Sequence, residues 1–126
     1  MKKVIVTDKA PKAIGPYSQA IQAGGLLFAS GQIPLDPATG QLVPGGIEEQ
    51  TKRVFENIKG LLEGAGYTLQ HVVKSLVFVT DMSYFAAVNE IYTQYFTENP
   101  PSRSFVSVKE LPKGAMIEVE IIACKD

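Results

Sequence analysis

Apolar and polar residues alternate through Lys2–Thr7 (KKVIVT), the period of a half-buried strand. SQAIQA (Ser18–Ala23) and LLFASG (Leu26–Gly31) repeat that signal on either side of Gly24-Gly25. Gly-Gly is a two-residue turn pair, so these runs predict a hairpin. PLDPATGQLVPGG, dense in Pro and Gly, reads as an irregular loop. From Ile47 to Ala65 the apolar positions are Ile47, Val54, Phe55, Ile58, Leu61, Leu62 and Ala65. That spacing predicts a helix, with Gly64 or Gly66 as its left-handed cap. HVVKSLVFVT is rich in β-branched residues and free of Pro and Gly, which predicts a central strand. Phe85, Val88, Ile91, Tyr92, Tyr95 and Phe96 form the stripe of a second helix, from Ser83 to about Phe96. Asp81 or Ser83 can cap it and Asn99-Pro100-Pro101 ends it. Arg103–Val108 and Met116–Ala123 predict two last strands, joined as a hairpin by KELPKGA, where Pro112 and Gly114 suit a tight turn.

The order β-β-β-α-β-α-β-β predicts an α+β domain, one mixed sheet with two helices on one face. Two helices cover only one face. The other is expected to carry Phe105 and part of the Val72, Leu76, Phe78 row, an apolar surface that another chain must cover. A homo-oligomer of closed symmetry follows.

Composition narrows the function classes. At 126 residues, 45% hydrophobic and 20% charged, the chain has the size of one domain, 1–126. The formal net charge is -1 and the 12 Lys and Arg are dispersed, so the basic footprint of a nucleic-acid binder is missing. No apolar run approaches the roughly 20 residues of a membrane span, and Met1-Lys2-Lys3 leads into too short an apolar run for a secretion signal. The expectation is a cytoplasmic protein without membrane or nucleic-acid partners. Cys124 and His71 are the only Cys and His, which leaves neither an internal disulfide nor a zinc ligand set.

Arg103 heads the strand run RSFVSV. Alternation puts Arg103, Phe105 and Ser107 on one face. In the last strand Ile117, Val119, Ile121 and Ala123 form an apolar side that should face the helices. Met116, Glu118, Glu120 and Ile122 then point away, and Arg103 is expected with them. In a hairpin centred on Pro112-Lys113, Arg103 lies opposite Ile122, about 13 Å from Glu118 at roughly 3.3 Å per residue. That is too far for an ion pair within one chain. The pattern leaves two readings open, a solvated strand-end charge or a fork for a small carboxylate.

Five blocks together, AIGPYSQAI, ASGQIPLDPATG, TKRVFENIKGLLEGAGYTLQHVVKSLVFVTDM, FAAVNEIYTQYF and PSRSFVSVKELPKGAMIEVEIIA, closely resemble the RidA/YjgF family of enamine and imine deaminases over nearly the whole chain. The resemblance implies a chorismate-mutase-like subunit, a homotrimer, and three active sites in the clefts between subunits. It also implies a hydrolase whose partners are small 2-imino and 2-keto acids; no cofactor is expected, because the imine is itself electrophilic, and no metal, because no ligand set is present. Members with that activity convert 2-aminoacrylate and related products of pyridoxal-phosphate-dependent dehydratases to 2-keto acids and ammonia. By motif, the carboxylate-binding arginine falls on Arg103 and the water-positioning glutamate on Glu118. Tyr17 of IGPY, Ser30 and Gly31 of ASGQIP, and Asn89 of VNEIY fall on substrate-binding positions. Phe105 stands where many members carry Cys, so pocket volume and substrate choice are expected to differ.

Each of these residues also has a structural reading. Tyr17 can anchor a loop, Asn89 can satisfy nearby backbone, and Ser30-Gly31 can simply end a strand. Cys124 reads as a small apolar filler and His71 as a loop or capping residue. Besides a purely structural trimer, in which cleft mutations would leave every activity unchanged, two rival functions remain at this level. One is a non-catalytic trimeric binding or regulatory protein, which needs Arg103 equally. The other is a nuclease or translation inhibitor, for which neither a basic patch nor a ligand cluster is evident.

Overall fold

The computed structural model describes residues 1–126. Its strands are β1 (Lys2–Ile5), β2 (Ala20–Ala23), β3 (Leu26–Ala29), β4 (Val72–Val79), β5 (Ser102–Ser107) and β6 (Ile117–Cys124). The helices are α1 (Ile47–Ala65) and α2 (Phe85–Tyr95). The strands form one mixed sheet in the order β1-β2-β3-β6-β4-β5, and the chain order is the predicted one.

Helix α1 forms where the spacing predicts it. Its N-terminus is closed by Glu49, whose carboxylate accepts from the Gly46 N–H at 2.8 Å. Gly66 ends it at φ 82°, the left-handed conformation that favours glycine; Gly64 lies inside the last turn. Helix α2 begins two residues later than the predicted start at Ser83, at the first residue of its apolar stripe. The Asp81 carboxylate accepts from the Ser83 N–H at 2.9 Å and caps a 3-10 turn, Met82–Tyr84, so the α-helix starts at Phe85.

The two helices meet over one sheet face. Phe55 of α1 packs edge-on to Tyr92 and Phe96 at 5.6 and 6.0 Å and stacks on Tyr95 at 5.2 Å. Beneath them lie the fully buried Leu27, Val77, Val79, Ile117, Val119 and Ile121. His71 caps the 3-10 turn Leu69–His71, its Nδ1 accepting from the Thr68 N–H at 2.9 Å.

The predicted final hairpin does not form. Strand β5 pairs parallel to β4, and β6 pairs antiparallel to the other side of β4. The physical reason is α2: β4, α2 and β5 make a parallel crossover unit, and the chain then passes over the end of β4 to enter on its far side. Val108 N–H donates to the Val79 carbonyl at 2.8 Å, and Thr80 N–H to the Met116 carbonyl at 3.1 Å. Both ends of that crossing are therefore tied to β4. Strands β1 and β5 are the edges of the sheet, and β4, paired on both sides, is one of its four interior strands.

This pairing reassigns faces. Residues opposite one another in a sheet share a face. Ser75 lies opposite Arg103 and Ile121, and Val77 opposite Phe105 and Val119. Arg103 and Phe105 are thus on the helix-covered face, not the open one. Val72 belongs there too: a register shift between Val72 and Lys74 sets it opposite Ala123, and it is buried. The open face carries Leu76, Phe78, Val106, Phe28 and Ile122, with Glu118 and Glu120 among them. Alternation within β5 shows which residues share a side; only the crossover decides which side.

Candidate functional site

The seven residues singled out in the sequence fall into two groups. Tyr17, Ser30, Gly31 and Glu118 line one cavity of about 510 Å³, together with Lys12, Lys113 and Glu120. Past β3 the chain continues extended, and Gln32 and Val119 exchange backbone hydrogen bonds at 2.8 and 3.1 Å. That bridge sets Gly31 beside Glu118. A Cβ on Gly31 would overlap the Glu118 carboxylate, so the missing side chain is what lets the acid lie against the backbone.

Ser30 is fixed by two bonds. Its Oγ donates to the Ser18 carbonyl at 2.6 Å and its N–H to the Gln19 carbonyl at 2.9 Å. The buried Gln19 side chain accepts from the Thr7 N–H at 2.8 Å and donates to the Thr7 and Pro11 carbonyls at 2.9 and 2.8 Å. A single amide therefore shapes the loop that delivers Tyr17. The Tyr17 hydroxyl accepts a long bond from the Ile14 N–H, 3.4 Å, and the ring is half exposed. Glu118 is partly buried; that burial, and secondarily the Glu120 carboxylate, push its carboxyl above the ordinary value.

Arg103, Asn89 and Phe105 form the second group, between the β5 edge and α2. Arg103 Nη1 donates to Asn89 Oδ1 at 2.7 Å. The guanidinium carbon lies 4.8 Å from the Tyr92 ring centroid, 5.1 Å from Phe105 and 5.8 Å from Phe85. The Tyr92 hydroxyl shares a 2.6 Å hydrogen bond with the buried Ser75 hydroxyl, which locks the ring that supports the cation. Held this way the guanidinium commits one donor to Asn89, and a planar carboxylate can take others of its fork.

The two groups do not share a cleft within one chain. From Ser75, beside Arg103, to Phe78, beside Glu118, is three residues along β4, and the two outer strands lie on either side of it. The backbone positions are therefore about 14 Å apart at about 3.3 Å per residue and 4.8 Å per strand, with side chains on opposite faces. The hairpin register gave a similar separation for the wrong reason. Sequence reasoning missed Phe85 and Tyr92, whose spacing with Asn89 (i, i+4, i+7) was the available signal for one helix side facing Arg103.

No group of three or more His, Cys, Asp or Glu side chains converges as a metal site, and no helix is long and apolar enough to cross a membrane. Cys124 is exposed at the end of β6, not a buried filler.

Residues 7–125 match the family model described as Endoribonuclease L-PSP. A RutC family protein of Pyrococcus horikoshii is 56% identical over 126 residues, covering 100% of both chains. A mouse protein named 2-iminobutanoate/2-iminopropanoate deaminase is 48% identical, covering 98% of this chain and 91% of its own. Among solved structures, RidA of an Antarctic Psychrobacter superposes with a TM-score of 0.94 at 45% identity, over 98% of this chain and 99% of that one. E. coli TdcF with bound serine gives 0.94 at 42% identity, again over 98% and 99%. With a family match spanning nearly every residue and relatives this similar over their full length, the chain belongs to the RidA/YjgF family.

Proposed function

We propose that the protein is a cytoplasmic, cofactor-independent hydrolase of 2-aminoacrylate and related enamine and imine intermediates, releasing 2-keto acids and ammonia. Its working form is a homotrimer with a site in each cleft between subunits. One observation carries the reading: the family's site residues divide into an Arg103 group and a Glu118 group on opposite faces of the sheet. Two such halves make a site only where one chain's sheet edge meets another chain's open face. The exposed apolar residues of that open face, Phe28 and Val106 among them, supply the reason for chains to meet there.

In this reading Arg103, braced by Asn89 and Tyr92, grips the substrate carboxylate as a fork and fixes C2. An enamine first takes a proton at C3 and becomes the imine, the electrophile. A water held by Glu118 adds its oxygen to C2, and its protons pass by way of the carboxylate to nitrogen. The carbinolamine then collapses: the C–N bond breaks, ammonia leaves, and C2 retains the oxygen as a ketone. The raised proton affinity of Glu118 suits a group that must both accept and return a proton.

The experiment is release of pyruvate or 2-ketobutyrate from freshly generated imine. The reading predicts loss of catalysis in Arg103→Ala; wild-type rates in that variant contradict it. The second reading, a non-catalytic trimer that binds a small amino or keto acid, draws on the serine bound in E. coli TdcF. Absence of any turnover by the purified protein, with a keto acid still bound through Arg103, favours that reading instead.

A further inference from the structure

Two phenyl rings beside Arg103 have no part in the chemistry just described. Phe105 lies two residues beyond Arg103 on the same face of β5, half-buried, and Phe85 is the first residue of α2, 42% exposed. The rings meet edge-on with centroids 4.8 Å apart at 67°. Phe105 is packed against the core margin, but Phe85 lies outside it, so an open apolar surface stands next to the cation. Asn89 and Tyr92 occupy other sides of the guanidinium, at 2.7 Å to Nη1 and 4.8 Å from the ring centroid.

A carboxylate gripped by this fork holds the substrate's C3 only two bonds from the carboxylate carbon. The two ring centroids are 5.1 and 5.8 Å from the guanidinium carbon, within reach of whatever C3 carries. Resting on the deaminase reading, we infer that the Phe85–Phe105 pair is the specificity-determining wall of the cleft, selecting 2-imino acids with branched or aromatic apolar side chains. Such side chains remove water from both rings. A methyl group is too short to cover them, and neither ring offers a hydroxylated side chain a hydrogen-bond acceptor of carbonyl strength.

The test compares kcat/KM for the imines of leucine and alanine, each generated in place by an amino acid oxidase with catalase present. Wild-type protein is expected to favour the leucine-derived imine by about 10-fold or more. Phe105→Cys and Phe85→Ala are each expected to lower that ratio several-fold, and Phe85→Ala, at an exposed position, decides the matter where Phe105→Cys does not fold. A wild-type ratio near or below one, or a ratio unchanged in Phe85→Ala, overturns the specificity assignment while deamination itself stands. Failure of the wild-type protein to turn over either imine sinks the deaminase reading and this inference with it.

Discussion

Arg103 and Glu118 lie on opposite faces of one sheet, separated by β4, Arg103 beside Ser75 and Glu118 beside Phe78. A cation and an acid so arranged cannot act on the C1 carboxylate and the C2 carbon of one small 2-imino acid within a single chain. Each is built for separate duty: the guanidinium is braced by Asn89 and Tyr92, and the carboxylate lies over Gly31.

The brace should be measurable. Asn89→Ala removes the acceptor of the 2.7 Å bond, and hydrogen bonds to charged groups contribute about 1.5–3 kcal/mol. We expect kcat/KM for imine hydrolysis to fall about 10- to 100-fold, mainly through KM. Arg103→Lys should lose at least as much, because a point charge lacks the planar fork. Steady-state kinetics on the folded variants checks both.

Glu118 gives predictions of opposite sign for activity and stability. In the proposed mechanism Glu118 acts on water in its ionised form, so the catalysed rate should fall as pH drops through its pKa, at a higher pH than an ordinary glutamate would give. Glu118→Gln should lower kcat by about 10²–10⁴-fold. Its folded-state pKa is raised, so the stability it contributes is present below its unfolded pKa and lost as pH rises through the folded one. Glu118→Gln, neutral throughout, should therefore gain in Tm over wild type at neutral pH, and the gain should vanish in acid. Thermal melts across pH check this.

Gly31→Ala places a methyl group where the Glu118 carboxylate lies. Either the acid or the strand must move, at a cost of about 1–3 kcal/mol typical of overpacking. Expected are a lower Tm and a kcat loss, with binding of a 2-keto acid through Arg103 affected less. Calorimetry and kinetics on one preparation separate the effects.

Tyr92→Phe keeps the ring over Arg103 and deletes the hydroxyl that partners buried Ser75 at 2.6 Å. An unpartnered buried hydroxyl costs about 1–3 kcal/mol. Denaturant unfolding should show that loss, and Tyr92→Phe combined with Ser75→Ala should recover part of it.

Much of this architecture is legible in local pattern. The apolar spacing of α1 and the apolar side of β6 follow from periods of 3.6 and 2, and the Gly66 cap and the Gly24-Gly25 turn from the positive φ that glycine allows. What local pattern could not supply was which strands become neighbours. Arg103–Ser107 and Ile117–Cys124 read as a hairpin because they are adjacent in sequence. Only the parallel crossover through α2 sets them on opposite sides of β4, and that changes the face of Arg103 and Phe105 together. Phe85 and Tyr92 escaped notice for a related reason: an aromatic at helical spacing has the same signature whether it fills the core or flanks a cation. The resemblance selected Tyr17, Ser30, Gly31 and Glu118, and the fold brings those four to one cavity. Their separation from Arg103 is a property of sheet topology, which no motif encodes.

The most direct measurement mixes two inactive variants. Arg103→Ala and Glu118→Gln are purified separately, unfolded together and reassembled at equal concentration, and imine hydrolysis is followed. If each cleft takes Arg103 from one chain and Glu118 from its neighbour, random assembly restores both wild-type groups at about one cleft in four. Recovery of activity near that fraction is the predicted result. A mixture as inactive as its components, in chains shown by mass to have exchanged, would contradict a site shared between subunits.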